Sequence, residues 1–110
     1  MVKYIPIQGD LVVLSFDPQS GHEQKGRRPA LVVSNKTFNS HLGLAYVCPI
    51  TSIKRDFTFH VKIKHEKIEG FIMCEQLKFI DYNSRKIKFV ERSPKDVLEQ
   101  ALGIVNSIIS

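Results

Sequence analysis

The 110-residue chain carries 16 Lys and Arg against 11 Asp and Glu, a formal net charge of +5. That length holds one hydrophobic core, so a single domain over 1–110 is expected and large nucleotide-binding folds and multi-domain enzymes are excluded. With 43% hydrophobic and 25% charged residues, the chain has a globular composition rather than a disordered one.

No apolar run approaches the ~20 residues a membrane span needs. The opening MVKYIPIQGD lacks the long apolar stretch and small-residue cleavage site of a signal peptide. No membrane association and a cytoplasmic location are therefore expected. Cys48 and Cys74 each sit in an apolar run without a Cys-x-x-Cys partner. Two buried thiols are the preferred reading and one disulfide the other. The basic excess favours an anionic partner, because Lys and Arg neutralise phosphates and release counterions.

In chain order, Leu11 to Phe16 is a Val-rich apolar run entered by Gly9-Asp10 and broken by Asp17-Pro18-Gln19-Ser20-Gly21. Ala30 to Ser34 and Leu44 to Ile50 are continuous apolar runs, the pattern of strands covered on both faces. The polar stretch Asn35 to Gly43 between them has room for one short helical turn. Phe57, Phe59, Val61 and Ile63 alternate with polar residues, which predicts a strand with one wet face. Phe71 to Ile80 and Ile87 to Val90 read as two further strands. Last comes a helix: Ser93 as cap, Pro94 at the first helical position, Asp96 in the first turn. Val97, Ala101, Ile104, Val105 and Ile108 then recur at helical spacing. Strands first and a helix last predict a mainly β domain with some α: a small, strongly bent antiparallel sheet or barrel with a C-terminal helix packed on it.

Three polar clusters interrupt this frame. The loop Asp17 to Pro29 holds His22, Glu23, Gln24, Lys25, Arg27 and Arg28 between glycines and is longer than a hairpin needs. Pro29 biases Arg28 to extended geometry, placing it at the mouth of the second strand. Thr51 and Ser52 end a buried strand, where they either cap their own backbone or present hydroxyls at the rim of a site. Glu75 and Gln76 interrupt an apolar run and must face a groove or find internal partners. His41, His60 and His65 read as surface residues. Without tight His/Cys spacing, neither a metal site nor a cofactor is expected.

The order Gly9-Asp10, Asp17-Pro18-x-x-Gly21-His22-Glu23-Gln24-x-Gly26-x-Arg28-Pro29-Ala30-x-Val32-Val33-Ser34, then Pro49-Ile50-Thr51-Ser52, resembles the MazF/PemK/Kid family of toxin ribonucleases over essentially the whole chain. The family often shows Asp-Gln where this chain has Glu75-Gln76, a carboxylate lengthened by one methylene. The resemblance implies an SH3-like, CcdB/PemK-type barrel. It also implies a toxin that cleaves single-stranded RNA or mRNA at short motifs, without a metal, through attack of the 2′-hydroxyl on the adjacent phosphate. The ends would be 2′,3′-cyclic phosphate and 5′-hydroxyl.

By the same resemblance, Arg28 would stabilise phosphate charge, Thr51 would donate to a phosphate oxygen or orient the 2′-hydroxyl, and Glu23 would act as base or orienter. His22, Gln24, Lys25, Arg27, Ser52, Lys54, Gln76 and Lys78 become RNA-binding candidates. Phe38, Tyr46 and Phe79 could stack on bases, although strand aromatics are more often core. The implied partners are single-stranded RNA, a second copy in a homodimer, and a MazE-like antitoxin with an acidic C-terminal tail. Two other readings stand beside this one. One is a non-enzymatic CcdB-like poison of DNA gyrase on the same fold. The other is an RNA-binding barrel without catalysis.

Overall fold

A computed structural model describes residues 3–16, 26–55 and 58–110. Among these residues seven strands, all paired antiparallel, form one strongly curled sheet: β1 (Asp10–Ser15), β2 (Arg27–Val32), β3 (Leu44–Thr51), β4 (His60–Lys64), β5 (Glu69–Met73), β6 (Lys78–Asp81) and β7 (Lys88–Arg92). Helix α1 (Lys36–Leu42) joins β2 to β3, and α2 (Lys95–Ile109) closes the chain. The strand order is β4-β5-β3-β2-β1-β7, with β6 also on β3.

The curl follows from β3. One edge pairs with β2, while the other switches partner along its length. Leu44 to Val47 lie opposite β6, and Ile50 and Thr51 lie opposite β5. One strand thus belongs to two sheet segments, which bend around it.

The continuous apolar runs of β1, β2 and β3 have the expected cause: both faces are buried. Alternation sends Leu11, Leu31, Cys48 and Ile50 to one core and Val12, Leu14, Ala30, Val32, Ala45 and Val47 to the other. The first core is roofed by Ala101 and Val105 of α2 and completed by Val61, Ile63 and Ile72. The second is closed by Ile80, Tyr82, Tyr4, Phe16 and Ile87 as the sheet folds over. On β4, Val61 and Ile63 point inward and Lys62 and Lys64 outward.

Two buried polar residues lock the frame. Asp10, 2% exposed, accepts from the Tyr4 hydroxyl, from the Ile7 amide at 3.1 Å and from the Arg92 guanidinium at 2.8 Å. Asn39 of α1 is fully buried; its amide donates to the carbonyls of Pro6 and Ser34, and its carbonyl accepts from the Ser34 hydroxyl. Tyr82 donates to the Asn39 main chain at 2.8 Å. Asn35 caps α1 by accepting from the Phe38 amide, and Gly43 ends it in the left-handed conformation, which glycine adopts without a Cβ penalty.

Several local expectations need correction. Phe71 to Ile80 is not one strand: β5 ends at Met73, Cys74–Gln76 form a 3-10 turn, and β6 begins at Lys78. The turn redirects the chain where β3 changes partner. Strand β4 starts only at His60, with Thr58 and Phe59 in a turn and Phe57 outside the described residues. The helix cap shifts by one residue to Pro94, and the Ser93 hydroxyl donates to the Pro94 carbonyl instead. Both cysteines are free and buried. Contact with Cys74, together with burial, pushes the Cys48 thiol up from its ordinary value.

Candidate active site

The ladder between β2 and β3 is short. It runs Val32↔Val47, Leu31↔Cys48, Ala30↔Pro49, and stops. Pro29 and Pro49 carry no amide hydrogen, so neither can donate across the gap. Beyond them β2 stays paired to β1 through Pro29↔Val13, Arg28↔Leu14 and Arg27↔Ser15. One side of β2 is therefore held while the side toward β3 opens.

Arg28 and Thr51 lie two residues beyond the last pair, Ala30↔Pro49, so extending the register two steps sets one across from the other. Both alternate onto the face that carries Ala30, Val32 and Val47. Arg28 is half-buried on rigid strand. Thr51 ends β3 opposite Phe71 of β5 and is 7% exposed. Its hydroxyl oxygen accepts from the Ile53 amide at 3.2 Å. The backbone cap that Thr and Ser make at strand ends is therefore present here. An oxygen used as acceptor still has its O–H to donate, so capping and ligand contact are compatible.

Around this edge Ser52, Ile53, Lys54 and Arg55 are exposed in sequence. The Arg27 side chain is exposed and donates to the Val13 carbonyl at 3.2 Å, folding back along β1. The turn after β6 reaches the same end, since the Ser15 amide donates to the Arg85 carbonyl at 2.9 Å. Gln76 is exposed on the 3-10 turn. Lys78 is exposed opposite Val47, ~13 Å up the strand from Thr51 at ~3.3 Å per residue. Glu23, His22, Gln24 and Lys25 lie outside the described residues.

Two residues have roles the sequence reading did not assign. His60 is not a surface residue: its side chain is 3% exposed and meets Glu75 at 3.1 Å. Glu75 thus spends one carboxylate oxygen inside the fold, clamping β4 to the 3-10 turn. Gly70 of β5 packs directly on Thr51: a Cβ at this position would lie 2.5 Å from the Thr51 carbonyl oxygen and 3.1 Å from Ile50 Cγ2. A strand glycine signals close approach, and that was the available clue. Phe38, Tyr46 and Phe79 form a surface stack, with Tyr46 and Phe79 centroids 4.5 Å apart and both rings exposed.

Among the described residues no group of His, Cys, Asp and Glu could hold a metal ion. A depression of about 520 Å³ on α1, lined by Asn35, Thr37, Phe38, His41 and Leu42, contains none of the candidate residues. Among the described residues, Arg28 and Thr51 lie at the end of the β2–β3 ladder.

A curled antiparallel sheet with a C-terminal helix is the fold of a class of small β toxins. The chain belongs to the PemK-like, MazF-like toxin family of type II toxin–antitoxin systems, whose pattern it matches over residues 7–109. It is 34% identical over 108 residues to the endoribonuclease PemK of Escherichia coli, spanning 94% of this chain and 81% of that protein. It is 36% identical over 108 residues to the endoribonuclease toxin ChpB of Escherichia coli K12, spanning 93% and 92%. The fold matches crystalline MazF of Deinococcus radiodurans with a TM-score of 0.88 at 37% identity, covering 97% of this chain and 98% of that one. It matches a MazE–MazF structure from the same organism at 0.86 and 32%, covering 98% of each. Because these relatives are endoribonucleases, the non-enzymatic gyrase-poison reading is not favoured.

Proposed function

We propose that this toxin is a metal-independent, sequence-specific endoribonuclease acting on single-stranded RNA, mRNA included, and so inhibiting translation and growth. The observation that carries the reading is that the β2–β3 ladder stops at Ala30↔Pro49, two residues short of both Arg28 and Thr51, whose extended register sets them across from one another.

The 2′-oxygen of the substrate attacks the adjacent phosphorus. The O2′–P bond forms and the P–O5′ bond breaks. The 2′-hydroxyl proton passes to a base, and the departing 5′-oxygen takes up a proton. A 2′,3′-cyclic phosphate and a 5′-hydroxyl remain. Arg28 stabilises the charge on the phosphorane oxygens, since its planar fork matches two oxygens at once. Guanidinium scarcely deprotonates, which restricts Arg28 to this charge role. Thr51 donates its remaining O–H to a phosphate oxygen, its oxygen being engaged by Ile53. Glu23 serves as base or orients it. Lys25, Arg27 and Lys54 hold neighbouring phosphates, while His22, Gln24, Ser52, Gln76 and Lys78 contact bases or backbone. The requirement for a 2′-hydroxyl spares DNA.

We further propose that the active unit is a homodimer of one-domain subunits (1–110) in the cytoplasm. A MazE-like antitoxin would lay an acidic tail along the basic edge and fold as it binds. The MazE–MazF structure among the solved relatives supports an antitoxin partner.

The test is cleavage of an unstructured RNA by purified protein in EDTA, followed by end analysis. Cyclic-phosphate and 5′-hydroxyl ends are expected. Cleavage that requires magnesium and leaves 5′-phosphates would refute the mechanism, and RNA bound but left intact would establish the non-catalytic barrel.

A further inference from the structure

Thr51 sits on the last residue of a strand, a place where chains commonly fray, yet the proposed chemistry needs its hydroxyl held still. What holds it is visible on β5. Ile50 and Thr51 pair with Ile72 and Phe71. Next to Phe71 lies Gly70, buried and paired on its other side with Ile63 of β4. The backbone of Gly70 lies so close to Thr51 that a Cβ there would stand 2.5 Å from the carbonyl oxygen and 3.2 Å from the carbonyl carbon. Real side chains essentially never make such a contact with backbone atoms, so with a methyl group at position 70 the Thr51 peptide and β5 must move apart.

We infer that Gly70 is a positioning residue for the proposed cleavage: by carrying no side chain it lets β5 close on the Thr51 carbonyl and so aims the Thr51 hydroxyl at the edge that faces Arg28. This inference rests on the function proposed above and adds a residue that touches neither substrate nor reacting atoms. Its mechanism is geometric. The Thr51 carbonyl belongs to the peptide plane leading into Ser52 and Ile53, and the Ile53 amide donates to the Thr51 hydroxyl oxygen. Displacing that plane rotates the Thr51–Ile53 turn as a unit and carries the hydroxyl with it. A misplacement near 1 Å at a reacting site costs on the order of 10²-fold in rate. Arg28, anchored on β1 through its pairing with Leu14, should not move.

The experiment compares Gly70→Ala, Thr51→Ala, the double variant and Ile63→Ala on unstructured RNA at low temperature. Rates are expressed per folded molecule, measured by circular dichroism. Ile63→Ala disturbs the same strand pair from the side away from Thr51 and controls for lost stability. Gly70→Ala is expected to lower kcat on the order of 10²-fold, with KM changed by less than about threefold, because phosphate contacts elsewhere stay in place. Ile63→Ala should keep the wild-type kcat. The double variant should cleave no more slowly than Thr51→Ala alone, since two changes acting through one hydroxyl do not add. Wild-type kcat in Gly70→Ala would overturn the inference. So would losses that multiply in the double variant, or a Gly70→Ala protein that fails to fold where Ile63→Ala folds. Thr51→Ala is read first: if it cleaves like wild type, the proposed site itself fails, whereas loss in Thr51→Ala with full activity in Gly70→Ala removes only the role of Gly70.

Discussion

Two polar regions of this small protein are built on opposite plans. Around Asn39 and Asp10 every side-chain oxygen and every amide hydrogen of the asparagine is matched inside the fold. At the end of the β2–β3 ladder, two residues beyond Ala30↔Pro49, Thr51 accepts from the Ile53 amide and Arg28 is half-buried on β2. On the proposed function, the difference separates polarity that organises the chain from polarity meant for a ligand. Buried groups left without partners cost stability, so the first region must be closed. Electrostatic stabilisation of a reacting phosphate needs donors that are held but not consumed, so the second must stay open.

The comparison breaks if substitutions in the two regions behave alike. The largest effect is expected at the open edge. Arg28→Ala should reduce RNA cleavage on the order of 10²–10³-fold while leaving the thermal midpoint near that of wild type, as read by gel assay and circular dichroism. Next comes Asn39→Ala, which strands the Pro6 carbonyl and the Ser34 hydroxyl. It should lower stability by roughly 2–4 kcal/mol in urea titration with little change in cleavage per folded molecule. An Arg28→Ala that unfolds, or an Asn39→Ala that folds but does not cleave, would erase the distinction.

The smallest effect sharpens the closed side. Burial, then the hydrogen bond to Asp10, raises the Tyr4 phenol above its ordinary value. Below about pH 10 both folded and unfolded chains keep that proton. Above it the unfolded chain ionises first, so stability falls as pH rises toward the folded value. Tyr4→Phe should lose about 1–2 kcal/mol at neutral pH and show a shallower decline above about pH 10 in thermal midpoints recorded against pH.

Much of this was legible in the residues. The double-faced burial of β1 to β3 follows from unbroken apolar runs, and α2 from apolar spacing. Arg28 and Thr51 stand at the ends of buried strands, but their proposed roles come from the family resemblance rather than from their positions. What could not be read depended on which strands meet. The apolar residues around Cys74 hide a 3-10 turn, since the change of partner along β3 is a tertiary event. His60 alternates with inward residues and so reads as wet, yet the turn brings Glu75 to it and both are drawn in. Gly70 looks like a weak spot in a strand until β5 is laid against Thr51. Phe38, Tyr46 and Phe79 have the composition of a core, and only the placement of α1 beside β3 and β6 leaves them at the surface.

The position of β3 has a consequence for the order in which the chain is made. Arg28 and Thr51 leave the ribosome early, but the strand that seats Thr51 begins only at Glu69. A nascent fragment therefore carries both side chains before it has the support that aligns them. Because domains take shape as synthesis proceeds from the N-terminus, the end of β3 at Thr51 gains its strand partner only after β5 has been made.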